Sequence, residues 1–229
     1  MSVKAGDYVS KYKKSAETKQ KILDGTISLI VEQGYSSLNI KDIADRLEMP
    51  RSLIYYYYKN RDDIMSDIYC STYQKLSSIA DRLLQDRDDP ILYLIVKYIL
   101  HYRFVVQNPV LCDFFFSRPA YVYQGCEVLR TAVDTCFSAS SEAFRRLRPD
   151  AGENELYAFI IACDSLMHAL LEGLYNGVLS MDLRGVILYF GQCTIMVNFS
   201  ISREEMAHIV DTAFELTEPI KTLDDGSAI

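Results

Sequence analysis

Apolar residues recur every three to four positions from Ala16 onward, and they do not alternate. That period belongs to helices buried along one face, not to half-buried strands. It predicts helices over 16–33, 40–47, 50–58, 61–84, 90–107, 109–116, 121–147, 153–178, 183–199 and 202–217, with no strand and no internal repeat. Several ends carry their own chemistry. Gly34 can supply the left-handed C-cap of the first helix, and Asn39 can cap the second, with Asp42 three residues on. Pro90 and Pro109 suit first turns, and Ser202-Arg203-Glu204-Glu205 is a capping box before the last helix. Met1 to Ser15 holds Lys4, Lys11, Lys13 and Lys14 without an apolar stripe, and reads as a mobile basic arm. The expected class is all-α: an arm over 1–15, a three-helix domain over 16–60 and a helical body over 61–229.

The segment after the arm is the most informative. Ile22, Thr26, Leu29 and Ile30 form a stripe on the first helix, and Ile40, Ile43, Ala44 and Leu47 form one on the second. Ala44 is small where a following helix would cross closely. Glu48-Met49-Pro50 then breaks the pattern for a tight turn: Met49 would plug the core, and Pro50 would start the next helix. At about 100° per residue, Leu53, Ile54, Tyr57 and Tyr58 share one arc of about 140°. Arg51, Ser52, Tyr55 and Tyr56 share the opposite one. If the first arc packs inward, the second is presented on a helix short enough for the major groove. Arg51 could then bond guanine, Ser52 a base or phosphate, and the tyrosines could add ring contact and a hydroxyl. On spacing alone, the four tyrosines equally fit two buried and two surface residues of a helical hairpin.

Charge sharpens this picture. The net charge of −7 is split: residues 1–61 carry eleven Lys/Arg against seven Asp/Glu, or +4, and residues 62–229 carry thirteen against twenty-four, or −11. A small basic head on an acidic body suits a phosphate partner at one end. The composition, 49% hydrophobic and 24% charged, is that of a soluble globular protein. The start of the chain is polar and basic, against a secretion signal. The most apolar stretch, Val186 to Phe199, is too short to cross a bilayer, so no membrane partner and a cytoplasmic location are expected. Six cysteines, at 70, 112, 126, 136, 163 and 193, lie at least ten residues apart with no C-x-x-C. They read as reduced, buried side chains. No nucleophile elbow, Walker loop, H-E-x-x-H or di-iron E-x-x-H pair is present, and three histidines offer little acid-base chemistry. Neither an enzyme nor a bound cofactor or metal is expected. A helical interaction protein without DNA binding would account for the body but not for the basic head.

Ile43-Ala44, followed by the run from Leu47 to Ile64 (LEMPRSLIYYYYKNRDDI), resembles the TetR (tetracycline-repressor-like) family signature. There, I-A-x-x-x-G-V-S-x-x-x-L-Y-x-H/Y-F-x-x-K-x-x-L follows a helix ending in Gly, and the likeness runs for about fifty residues without a gap. The resemblance implies a helix-turn-helix that reads a palindromic double-stranded operator as a homodimer, most often as a repressor and alternatively as an activator. It implies phosphate contacts from Asn39, Tyr57 and Arg61, a base or phosphate contact from Lys41, and a groove-facing set of Arg51, Ser52, Tyr55 and Tyr56. Two positions depart from it. Glu48 stands where the family favours Gly, so it is either forced to positive φ or sits in a different turn. Pro50 replaces a common Ser and removes a donor.

In the body, Glu153 to Asn176 is apolar along Leu156, Phe159, Ile160, Cys163, Leu166, Met167, Leu170, Leu171 and Leu174, and small at Ala158, Ala162, Ser165, Ala169 and Gly173. Such a helix suits burial on two sides. In the resembled family, the eighth helix and a late one pair with their symmetry mates. The resemblance therefore puts the two-fold interface at Ala158, Ala162, Ser165 and Ala169, with Met206, Ile209, Val210 and Phe214 of the last helix. It also puts a cavity for a small effector among the middle helices, where aromatics abound. Candidate lining residues are Tyr98, His101, Tyr102, Phe115, Phe116, Cys163, Met167 and His168, which suit an aromatic or lipophilic ligand. Asp164 and His168, four apart on one face, read as a hydrogen-bonded structural pair rather than two metal ligands.

Overall fold

The computed structural model describes residues 5–84, 89–116, 141 and 144–223, with side chains from Lys14 onward. Every regular element among them is helical. The chain forms two compact units, Met1–Ile68 and Tyr69–Ile229.

The first unit begins with α1 (Ala5–Gln33), followed by a 3-10 turn at Tyr35–Ser37, α2 (Ile40–Arg46), α3 (Arg51–Tyr57) and the start of α4 (Arg61–Leu83). The expected mobile arm is corrected here, because α1 is already helical from Ala5. No Gly or Pro after Gly6 interrupts the approach to Ala16, and the Thr18 hydroxyl donates back to the Lys14 carbonyl at 2.8 Å. Gly34 ends the run at φ 80°, its N–H bonded to the Ile30 carbonyl at 2.8 Å. Asn39 caps α2 through its side-chain oxygen, which accepts from the Asp42 N–H at 3.0 Å. Ile22, Ile43 and Ile54 are completely buried, each contributing roughly 1.5–3 kcal/mol. Ile64, Met65 and Ile68 are buried as well, so the first two turns of α4 belong to this unit and its boundary lies beyond residue 60.

The second unit continues α4 and adds α5 (Pro90–His101), a π-helical turn at Tyr102–Val106, and α6 (Cys112–Phe116). It is completed by α7 (Glu153–Tyr175), α8 (Leu183–Cys193), α9 (Ile195–Phe199) and α10 (Arg203–Thr217). The helix expected over 121–147 lies outside the described residues except for 141 and 144–147, which are helical. The expected helix over 183–199 is broken at Thr194 (φ −121°, ψ −61°), whose hydroxyl donates to the Phe190 carbonyl at 2.7 Å. Asp89 caps α5 ahead of Pro90, and Ser202 and Glu205 form the anticipated capping box on α10. Nine of the twelve residues of α5 are buried, which makes it the central element, packed on α10 and α8. Gly191 lets α8 and α10 approach closely: a Cβ there would stand 2.5 Å from Met206 Cε. Among the described residues, α7 is the one helix long and apolar enough to cross a membrane. Its stripe of Leu156, Phe159, Cys163, Met167 and Leu171 is instead buried in its own unit.

Candidate nucleic-acid interface

The turn between α2 and α3 is built by three backbone bonds. Leu47 N–H donates to Ile43 at 3.1 Å, Glu48 N–H to Asp45 at 3.4 Å and Met49 N–H to Ala44 at 3.0 Å. The last two close a Schellman cap, whose penultimate position requires a left-handed residue. Glu48 occupies it at φ 51°, the first of the two alternatives its sequence position allows. On the other side of the turn, Leu47 presses on α1 so closely that a Cβ on Gly25 would stand 2.6 Å from Leu47 Cδ2. Pro50 is the N-cap of α3, not its first residue, and makes no side-chain cap bond.

The two arcs of α3 separate as their spacing requires. Ile54 and Tyr58 are buried, Leu53 and Tyr57 are half-buried, and Arg51, Ser52, Tyr55 and Tyr56 are exposed. Tyr56 is 77% exposed and Tyr55 55% exposed, an unusual state for large aromatics. The inner arc is locked by polar bonds. The Tyr58 hydroxyl donates to Asp67 Oδ2 at 2.8 Å, and Lys19 Nζ lies 2.6 Å from the same oxygen. Burial first, and then the Asp67 carboxylate, pushes the Tyr58 phenol above its usual range. The outer arc therefore projects from a fixed base.

The remaining predicted contacts divide. Asn39 and Lys41 are exposed at the start of α2, beside the turn. The Tyr57 hydroxyl donates to Ser15 Oγ at 3.2 Å, so its proton is engaged within the unit. Arg61 is turned inward: its Nη1 donates to the carbonyls of Leu38 (2.7 Å), Ser36 (3.1 Å) and Tyr35 (3.3 Å). Its guanidinium also lies 4.9 Å over the Tyr35 ring. In this geometry Arg61 clamps the 3-10 turn ahead of α2, which the sequence did not signal. Lys59 is the exposed cation at this end of α3; it stands in the motif, but spacing alone assigned it no role.

In the second unit the structure gathers His101, Phe115, Phe116 and His168, and places Tyr98 elsewhere, 4.9 Å from the Phe190 ring. Cys163 and Met167 are buried and Tyr102 is half-buried. The cluster also includes Tyr69, which the sequence reading missed and whose hydroxyl meets His101 Nε2 at 3.0 Å. Lys97 is buried with its ammonium 4.7 Å from the Tyr73 ring centroid; a lysine inside so apolar a helix was the available signal. Burial, with His168 and Lys97 nearby, holds the His101 imidazole down to about 3, and burial lowers His168 too. The expected interface needs correction. Met206 and Val210 are 1% and 0% exposed and fill the core beneath α5 and α8, while Ile209 and Phe214 are half-buried. On α7, Ala158, Ala162 and Ala169 are exposed and Ser165 half-buried, beside exposed Tyr157 and Ile161, which the reading had not selected.

Residues 22–68 match the family described as bacterial regulatory proteins, tetR family. Over 53 residues the chain is 38% identical to the HTH-type transcriptional regulator AcrR of Shigella flexneri, covering 23% of this chain and 25% of that protein. Over 71 residues it is 31% identical to the biofilm operon icaADBC HTH-type negative transcriptional regulator IcaR of Staphylococcus epidermidis, covering 31% of this chain and 37% of the relative. These alignments thus span well under half of either relative. The crystal structure of RolR in complex with resorcinol is similar in fold, with a TM-score of 0.58 at 14% identity, over 87% of this chain and 95% of that one.

Proposed function

We propose that this chain, whose residues 22–68 match the family described as bacterial regulatory proteins, tetR family, is a repressor that binds a palindromic operator as a homodimer and releases it on binding a small effector. The observation that carries the reading is the outer arc of α3. Arg51, Ser52, Tyr55 and Tyr56 are held outward by a helix whose other side is bonded into the unit. Arg51 reads base edges, the tyrosines contact bases and sugar, and Lys41, Lys59 and Asn39 meet the phosphates on either side. Arg61 acts by fixing the start of α2.

Dimerisation is supported by the outer face of α7, where Tyr157 and Ile161 are 60% and 59% exposed among alanines. Exposed Tyr189 of α8 and Val197 of α9 extend the apolar surface available to a second copy. These residues take the place of Met206 and Val210 in the interface. Repression is favoured by the negative role in IcaR's name, and a small aromatic effector by the resorcinol bound to RolR. The chain passes from one unit to the other inside α4, which is the element we assign to carry the effector's influence. A cytoplasmic location follows from this role.

Binding of the full chain to palindromic duplexes selected from a random-sequence pool, titrated with salt, tests the reading. Replacing Arg51 and Tyr56 together by Ala should weaken binding by roughly 10- to 100-fold without changing the fold. Undiminished affinity in that variant, or affinity insensitive to salt, overturns the assignment.

A further inference from the structure

α3 is a seven-residue helix, roughly 10 Å long, within which a single side chain, Ile54, is completely buried. Packing alone holds so short a rod weakly, and the polar bonds around it decide how it stands. Where α3 runs into α4, the Lys59 N–H donates to Asp63 Oδ2 at 3.0 Å and the Asp63 N–H donates to Asn60 Oδ1 at 2.9 Å. These bonds pin the junction but follow the path of the chain. Resisting rotation of α3 about its own axis needs a bond well off that axis.

Among the described residues, two side chains of α3 and its C-cap hydrogen-bond to other helices. Tyr57 meets Ser15 of α1 at 3.2 Å, hydroxyl to hydroxyl. Tyr58 donates instead to a carboxylate, Asp67 Oδ2 of α4, at 2.8 Å, which is the stronger, charge-assisted kind of bond. Lys19 of α1 completes the arrangement, its Nζ lying 2.6 Å from the same oxygen and 5.6 Å from the Tyr58 ring centroid. One carboxylate oxygen joins α1, α3 and α4. Tyr58 is buried and Asp67 half-buried, so water competes little for this oxygen. In the resembled signature the position of Tyr58 is Phe, which has the ring without the hydroxyl; the bond to Asp67 is this chain's own addition.

We propose that Asp67 is a positioning residue for base reading: through the Tyr58 hydroxyl it fixes the rotation of α3 about its axis, and so sets how strongly the chain prefers its operator over other DNA. The inference rests on the operator-binding reading above and names what in the head governs its specificity. The hydroxyls of Tyr55 and Tyr56 can reach about 8 Å from the helix axis, so a rotation of about 15° carries them roughly 2 Å sideways. That exceeds the whole distance window of a hydrogen bond. Arg51, which reads guanine with two bonds at once, is equally sensitive. Phosphate attraction is not, because it acts over about 8–10 Å at moderate salt and survives such a shift. Loosening α3 therefore costs sequence preference and leaves general DNA binding nearly intact.

The full chain is titrated at one salt concentration with a duplex selected from a random-sequence pool and with random-sequence duplex of the same length, and the ratio of the two affinities is read. Loss of folded protein lowers both affinities together and cancels in the ratio, so a merely structural role leaves it unmoved. Tyr58→Phe, which keeps the ring, should lower the ratio at least about fivefold while random-duplex affinity stays within about twofold. Asp67→Asn should do the same, and the double variant should be no worse than the stronger single one. Lys19→Arg, which can still donate to Asp67, should keep the parent's ratio. An unchanged ratio in Tyr58→Phe, an equal fall of both affinities, or effects that multiply in the double variant overturns the proposal. A parent that prefers no selected duplex overturns the operator-binding reading and the positioning role with it, whereas a strong preference that survives Tyr58→Phe sinks the positioning role alone.

Discussion

Glu48 offers the sharpest test of how the DNA-facing turn is held. It occupies the left-handed position of the Schellman cap at φ 51°, with the Met49 and Glu48 N–H groups bonded back to Ala44 and Asp45. A side chain there costs roughly 1–2 kcal/mol because Cβ crowds the carbonyl that follows. Glycine removes that cost but adds about 0.5–1 kcal/mol of backbone entropy lost on folding. Glu48→Gly should therefore stabilise the head by a net of about 0.5–1 kcal/mol. Glu48→Ala deletes the same carboxylate but keeps Cβ, and should stay within about 0.5 kcal/mol of the parent. Urea midpoints of the two variants, compared with the parent at constant m-value, give the measurement. Both variants also remove an exposed negative charge beside α3, so both should bind duplex more tightly at low salt, with the gain fading at high salt. Equal stabilisation by Ala and Gly would show that charge, not backbone strain, governs the turn; a Glu48→Gly loss would refute the strain argument outright.

Two further outcomes follow from the same geometry. Arg61→Lys keeps the charge but loses the fork onto Tyr35, Ser36 and Leu38, so it should lower stability by about 1–2 kcal/mol; Lys59→Ala should leave the urea midpoint unchanged and weaken duplex binding, and a reversal of those two effects would refute the assignment. In the body, Asp164, raised from 3.8 to about 7, contributes stability that is lost as pH rises through that window, while His101, lowered from 6.5 to about 3, contributes stability that is lost as pH falls, with His168 shifted in the same sense. Asp164→Asn removes the first effect alone, so between about pH 6 and pH 4 its stability should fall on acidification more steeply than the parent's, by up to about 1.4 kcal/mol per pH unit; parallel urea-midpoint curves would contradict the assignment.

Much of the head could be read from the chain alone, because its determinants are local. The spacing of Leu53, Ile54, Tyr57 and Tyr58 against Arg51, Ser52, Tyr55 and Tyr56 sets which side of α3 is buried, whatever packs against it. Asn39, Gly34 and Ser202 cap or close their helices through neighbours within a few residues. Glu48 was legible as a conflict between residue type and turn, although choosing between its two resolutions needed coordinates.

What distant contacts decide was not legible. Met206 and Val210 carry the same apolar period whether they face a second copy or their own core, and only their burial against α5 and α8 settles the matter. Arg61 resembles a phosphate ligand until the carbonyls of the 3-10 turn, more than twenty residues earlier, are brought to its guanidinium. Asp164 and His168 read as a bonded pair by spacing, whereas their protonation depends on how much water the folded body excludes. Periodicity along a chain determines that a face will be covered; which surface covers it, and which charges lose their water, are properties of the packed molecule.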